Sequence, residues 1–147
     1  MVMEIITHPN ELLRQKAVDV EVHADDLHEL ITNMTMRMLT NNGVGLSACQ
    51  LGSDKNIFVY ITNSGCVIPV INPEVMAKSG KYWSRDEGCL SVPGIRKYIK
   101  RSKMIKISYM DVFGDYSMRR VIKAQNFEAA IIQHELDHLK GKLIVDY

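Results

Sequence analysis

The sequence predicts an α+β fold in which short strands pack around one late helix. Two observations carry this. Helical periodicity lies near both ends of the chain, while the middle consists of short apolar runs broken by turn residues. The last periodic segment, from about Asn126 to Lys140, is apolar on nearly every side (Phe127, Ala129, Ala130, Ile131, Ile132, Leu136, Leu139). A helix without a polar face needs burial, here among strands. Helix, helix, many strands, helix is not the alternating order of a parallel sheet, so the strands are expected to be antiparallel or mixed.

In chain order, His8-Pro9-Asn10 reads as a turn, with Asn10 capping a short helix through about Ala17. Asp25 or Asp26 caps a second helix, whose Leu27, Leu30, Ile31, Met34 and Met38 recur at intervals of three and four. Asn41-Asn42-Gly43 stops it. Ile57–Ile61 and Val67–Ile71 are short apolar runs around Asn63-Ser64-Gly65, a hairpin pattern. Met104–Tyr109 and Ser117–Ile122 flank Gly114 and suggest another hairpin. Gly141 closes the final helix.

The 147 residues fit one domain spanning 1–147. Lys+Arg number 18 against Asp+Glu 17, a balance that gives no electrostatic reason to expect a nucleic-acid site or an anionic membrane as partner. No apolar run reaches membrane-span length, and the N-terminus resembles neither a secretory signal nor a transit peptide. The three cysteines, Cys49, Cys66 and Cys89, form an odd and sparse set, which suits a reducing, cytoplasmic compartment.

His134-Glu135-Leu136-Asp137-His138 carries the chemistry. On a helix, positions i and i+4 share a face, so both imidazoles can reach one divalent cation while Glu135 serves as proton-shuttling base beside it. The bland alternative is two surface histidines beside a solvated glutamate, which the apolar flanks oppose. A hydrolytic site needs one more protein ligand. Only nine residues follow His138, and of these Asp146 would have to fold back sharply. Cys89, in Glu87-Gly88-Cys89-Leu90-Ser91, is the better upstream candidate, although a free cysteine is equally at home as a small buried apolar residue. Gly43-Val44-Gly45-Leu46-Ser47-Ala48-Cys49-Gln50 has little side-chain bulk, which lets a ligand lie against its backbone. Gln50 can offer an amide N–H to a carbonyl oxygen; the alternative is a helix end followed by a tight strand entry.

These three segments, in this order, resemble the signature motifs of the peptide deformylases, and His8-Pro9 before Leu12-Leu13-Arg14 resembles that family's N-terminus. The resemblance covers almost the whole chain. It implies strands wrapped around a central metal-binding helix, and removal of the formyl group from N-formylmethionyl nascent peptides. It implies Cys89, His134 and His138 as metal ligands and Glu135 as general base and acid. Gln50 and the Leu90 amide would hold the oxyanion. Backbone of Val44, Gly45 and Gly88 would pair with substrate, and Val44, Phe127, Ala130, Ile131 and His134 would line a methionine pocket. Arg96 would touch substrate further along, and a Glu87–Arg101 pair would brace the cysteine loop. One cation per chain is implied: ferrous iron natively, with zinc, nickel or cobalt able to substitute. The expected protein is a bacterial, cytoplasmic monomer.

Two departures stand out. Ser47 occupies a position where the family usually has alanine, placing a hydroxyl near the substrate strand. Many bacterial members continue into a further helix that docks on the ribosome, whereas this chain reaches Tyr147 soon after the histidine helix. Docking by that route is therefore not expected, and a compact member, encoded by a phage or organelle, is one implication. The competing enzyme is a small zincin-like metallopeptidase with a downstream third ligand. A non-catalytic protein stapled by four protein ligands is the competing binding-protein reading.

Overall fold

A computed structural model describes residues 3–21, 24–111 and 118–147. Among these residues two α-helices, α1 (Leu27–Thr40) and α2 (Asn126–His138), accompany seven strands. These are β1 (Gly45–Ser47), β2 (Ile57–Ile61), β3 (Val67–Ser79), β4 (Tyr82–Cys89), β5 (Val92–Arg101), β6 (Met104–Met110) and β7 (Arg119–Gln125). Five strands form one sheet in the order β1-β2-β3-β6-β7, and β4 pairs with β5 in a separate ribbon. All strand pairs are antiparallel; Val18 and Lys55 form an isolated parallel bridge.

Strand β2 shows why the large sheet has two dry faces. Ile57 and Val59 pack with Leu27, Leu30, Ile31, Met34 and Met38 of α1. Phe58 and Tyr60 point the other way and pack with Ala129, Ile131, Ile132 and Leu136 of α2. Period-two alternation sends successive side chains to opposite faces, and burial of each large apolar side chain contributes ~1.5–3 kcal/mol. Helix α2 packs against strands of both sheets and is thus the central helix. Gln133 adds a tether, accepting from Ser102 N (2.9 Å) and donating to Ser102 O (2.9 Å) at the β5–β6 turn.

Several local expectations are revised. The helix expected from Asn10 to Ala17 is only a 3₁₀ turn, Glu11–Arg14. Asn10 does cap it, but Ala17 N donates to Leu139 O and Val18 N to Asp54 O, which draws the following chain into tertiary bonds. Asp26 sits at the N-cap of α1 without a side-chain cap bond, because its carboxylate pairs with Lys55 Nζ at 2.9 Å. Strand β3 runs on to Ser79, well past Ile71. Gly114 and Ser117 lie outside the described residues; the flanking β6 and β7 do pair. Helix α2 ends at His138, and Gly141, at φ +78°, turns the chain out of it. An added Cβ there would lie 2.4 Å from Arg14 O, so the position requires glycine.

Candidate active site

Helix α2 delivers two imidazoles to one point, and the end of β4 delivers a thiol. His138 Nε2 lies 3.2 Å from His134 Nε2 and 3.3 Å from Cys89 Sγ. The three donor atoms all fall within 4.8 Å of one another. Cys89 is the last residue of β4, paired with Val92 across a tight turn, and is not in a loop as its sequence context suggested. Asp146, the fold-back candidate, is occupied elsewhere: it bonds Leu143 N (2.8 Å) and pairs with Arg14 (2.5 Å).

A buried polar network orients these donors. Glu87 Oε1 accepts from His134 Nδ1 (2.7 Å), which turns Nε2 toward the other two donor atoms, where a bound cation would displace its proton. Arg101, 5% exposed, grips Glu87 through Nε and Nη2 and reaches Asp137 Oδ2 through Nη1 (2.7 Å). The Tyr147 hydroxyl donates to Asp137 Oδ2 (2.5 Å) and accepts from Arg101 Nη1 (3.0 Å). Burial works against the Glu87 carboxylate, but bonds from His134 and Arg101 outweigh it and hold its pKa down at about 2. Burial likewise opposes a charged His134, yet Cys89 and Glu87 raise its pKa to about 10. Burial and the neighbouring His134 push His138 well below the ordinary value, keeping it a neutral imidazole. Its Nδ1 has no hydrogen-bond partner among the described residues. One thiol and two imidazoles, converging with the outer nitrogen of one fixed by a carboxylate, fit a divalent transition metal such as zinc.

Glu135 is 3% exposed and lies against the bare backbone of Gly45, where an added Cβ would meet its Oε2 at 2.5 Å. Burial raises its pKa to about 7, despite the lowering effects of His134 and a Ser47 hydrogen bond. Ser47 was expected to bring its hydroxyl to the substrate strand. It is fully buried instead and lies 2.9 Å from Glu135 Oε1 and 3.1 Å from Glu135 O. Gln50 sits in the 3₁₀ turn Ala48–Leu51 that follows β1. Its Oε1 accepts from Ser47 N (2.9 Å), and its Nε2 lies 3.0 Å from Ser91 Oγ and 3.8 Å from Cys89 Sγ. The amide N–H therefore faces the sulfur side of the site.

A cleft of about 400 Å³ gathers most of the residues singled out in the sequence. Val44, Gly45, Gln50, Gly88, Cys89 and Leu90 line one side of it, and Phe127, Ala130, Ile131, His134 and Glu135 come from α2. Arg96 lines it too, with its guanidinium about 3 Å from where a Gly88 Cβ would stand and its Nη1 donating to Asp86 O at 3.2 Å. His138 does not border the cleft; its imidazole is buried and meets the other two donor atoms from within the core. Sequence reasoning found Glu87 and Arg101 through the resemblance but missed Asp137 and Tyr147. Asp137 lies inside the histidine motif, where the i+3 relation to His134 was the available signal.

Fold and site together define a metal-dependent hydrolase. The chain belongs to the polypeptide deformylase family, whose model matches residues 2–147. Peptide deformylase 1 of Clostridium perfringens is 43% identical over 139 residues, covering 94% of this chain and 92% of that protein. The crystal structure of peptide deformylase from Ehrlichia chaffeensis superposes with a TM-score of 0.92 at 34% identity, covering 100% of this chain and 88% of the other. A class I type b peptide deformylase from Acinetobacter baumannii, solved with Met-Ala-Ser bound, superposes with a TM-score of 0.90 at 29% identity and covers 100% and 99% of the two chains. Among the described residues, no helix is long and apolar enough to cross a membrane.

Proposed function

We propose that this chain releases formate from N-formylmethionyl nascent peptides, with Cys89, His134 and His138 as metal ligands and Glu135 as the base. The observation that carries the assignment is the convergence of three donor atoms within 4.8 Å beside a buried carboxylate at the wall of an open cleft. A divalent cation held there supplies Lewis acidity and lowers the pKa of water toward neutrality.

The chain's own residues divide the remaining work. Glu135, poised at a pKa of about 7, accepts a proton from the attacking water and returns it to the leaving amine. Ser47 fixes the near oxygen of that carboxylate, and Gly45 leaves room for the far one. Gln50 Nε2 and the Leu90 N–H hold the charge that develops on the formyl oxygen. Backbone of Val44, Gly45 and Gly88 pairs with the substrate as an added strand. Val44, Phe127, Ala130, Ile131 and His134 receive the methionine side chain, and Arg96 meets the peptide further along. The Met-Ala-Ser held by the Acinetobacter baumannii relative supports a methionine-first peptide in this cleft. Glu87 and Arg101 brace His134 from behind.

The reading extends to ferrous iron as the native cation, with zinc, nickel and cobalt as substitutes, and to one domain over 1–147 acting as a monomer. The free Cys49, Cys66 and Cys89 support a reducing, cytoplasmic setting. Anaerobic purification, metal analysis and formate release from a formyl-Met tripeptide test the proposal, with the acetylated peptide as control. One metal per chain and turnover of the formyl peptide alone are expected. Absence of formate release from metal-loaded protein, or metal retention in Cys89→Ala, refutes it. Metal retention in that variant would favour the zincin-like alternative.

A further inference from the structure

The β4–β5 ribbon carries an unusual outer face. Positions 81, 83 and 85, and 96, 98 and 100, are exposed, while Ser84 and Ile99 between them are buried. The outward rows therefore read Lys81-Trp83-Arg85 and Arg96-Tyr98-Lys100, cation–aromatic–cation in both. Trp83 stands opposite Lys100 in the ladder. The Trp83 and Tyr98 rings lie 5.0 Å apart at 38°, with the two residues 51% and 58% exposed. Neither ring supports the core, and none of the six residues is acidic.

A second pocket of about 400 Å³ adjoins this face and is lined in part by Lys78, Lys81 and Lys100. Its one acid, Asp137, is already bonded to Arg101 and Tyr147. Lys78 faces Lys140, Arg101 and Lys142; burial and these cations lower its pKa. The near-neutral net charge of the chain conceals this concentration, because charge balance over a whole sequence says nothing of its placement.

We propose that this face binds single-stranded nucleic acid, with bases stacking on Trp83 and Tyr98 and phosphates resting on Lys81, Lys100 and the adjoining lysine pocket. Charge complementarity selects a polyanion. The exposed ring pair selects one with flat, unpaired faces, since base-on-aromatic stacking contributes about 1–3 kcal/mol per base and is indifferent to sequence. Same-face side chains along a strand repeat at about 7 Å, two rises of ~3.4 Å, a span comparable to that between successive phosphates of an extended strand. Arg85 and Arg96 also line the catalytic cleft, so the bound strand lies beside its mouth.

Trp83 is the chain's only tryptophan, which makes its emission a direct report on the contact. A twelve-residue uridine RNA is titrated into the metal-loaded protein. Saturable quenching is expected. Three phosphate contacts, on Lys78, Lys81 and Lys100, imply a salt slope near −2 and about a 20-fold loss of affinity between 50 and 200 mM salt. Tyr98→Ala should weaken binding about tenfold, and the Lys81→Glu/Lys100→Glu double variant more than tenfold. Both should keep wild-type deformylation of a formyl-Met tripeptide, which shows that they fold. The proposal is overturned by absent quenching, by binding that survives the double variant, or by inorganic polyphosphate competing equally with no sensitivity to Tyr98→Ala. Equal binding of a twelve-base-pair duplex, or tighter binding of an oligoglutamate peptide, overturns it too.

Discussion

Replacing Arg101 with methionine should damage both stability and the metal site. Arg101 is 5% exposed and bonds Glu87, Asp137 and the Tyr147 hydroxyl. Methionine keeps much of the side-chain volume but removes, among the described residues, the only cationic side chain bonded to either acid apart from His134 on Glu87. Stranding one partner of a buried ion pair costs about 3–5 kcal/mol. Tyr147 and His134 retain one hydrogen bond each to the stranded carboxylates, so the lower end of that range, about 3 kcal/mol, is expected. The second effect is local. Glu87, released from Arg101, still bonds His134 Nδ1 but is no longer held in place itself, and since full loss of such an outer partner lowers metal affinity about 10–100-fold, a drop of about tenfold is expected. Urea unfolding of the metal-loaded protein reads the first effect, and chelator competition reads the second. A variant within 1 kcal/mol of wild type and with unchanged metal affinity would refute the role given to this network.

The same network sets an acid limit. The Glu87 pKa is lowered from 4.5 to about 2 in the folded chain, so its contribution is fully present above about pH 4.5 and is lost as pH falls toward 2; the shift corresponds to about 3 kcal/mol. Urea midpoints at pH 5 and pH 3 should therefore diverge less in Glu87→Gln than in wild type. Gln50→Leu should keep its metal and lose about 10²–10³ in kcat, the usual cost of one oxyanion donor; near-full turnover would retire that role. Glu135→Ala should fold and hold metal, as metal analysis would report, while releasing no measurable formate. Gly45→Ala places a methyl 2.5 Å from the present position of Glu135 Oε2. Displacing the base by about 1 Å should cost about 10²-fold in kcat with metal content unchanged.

The parts of this protein that were legible in its sequence are those written in strong periodicity. Helix α1 announced itself through five apolar residues on one face, all of which are buried. Helix α2 did so by lacking a polar side, which is the condition for sitting between two sheets. The β4–β5 ribbon was not legible, because its solvent face carries Trp83 and Tyr98 and so destroys the apolar–polar alternation by which a half-buried strand is recognised. Gly88, Pro93 and Gly94 further disguise it as loop. In the site, His134, Glu135 and His138 were readable from spacing alone. Cys89 needed the ordered motifs around it, since nothing local separates a ligand thiol from a packing one. The Ser47–Glu135 contact spans 88 positions in sequence, beyond the reach of any local pattern.

Strand β1 is three residues long and ends the five-stranded sheet. A long bare edge is a hazard, because it invites another copy of the same chain to zip on and stay. Three residues, with Glu135 standing against Gly45, give such an intruder little purchase at this edge. On the function proposed above, the same brevity also suits turnover: a guest held by so few backbone bonds can leave as readily as it arrived.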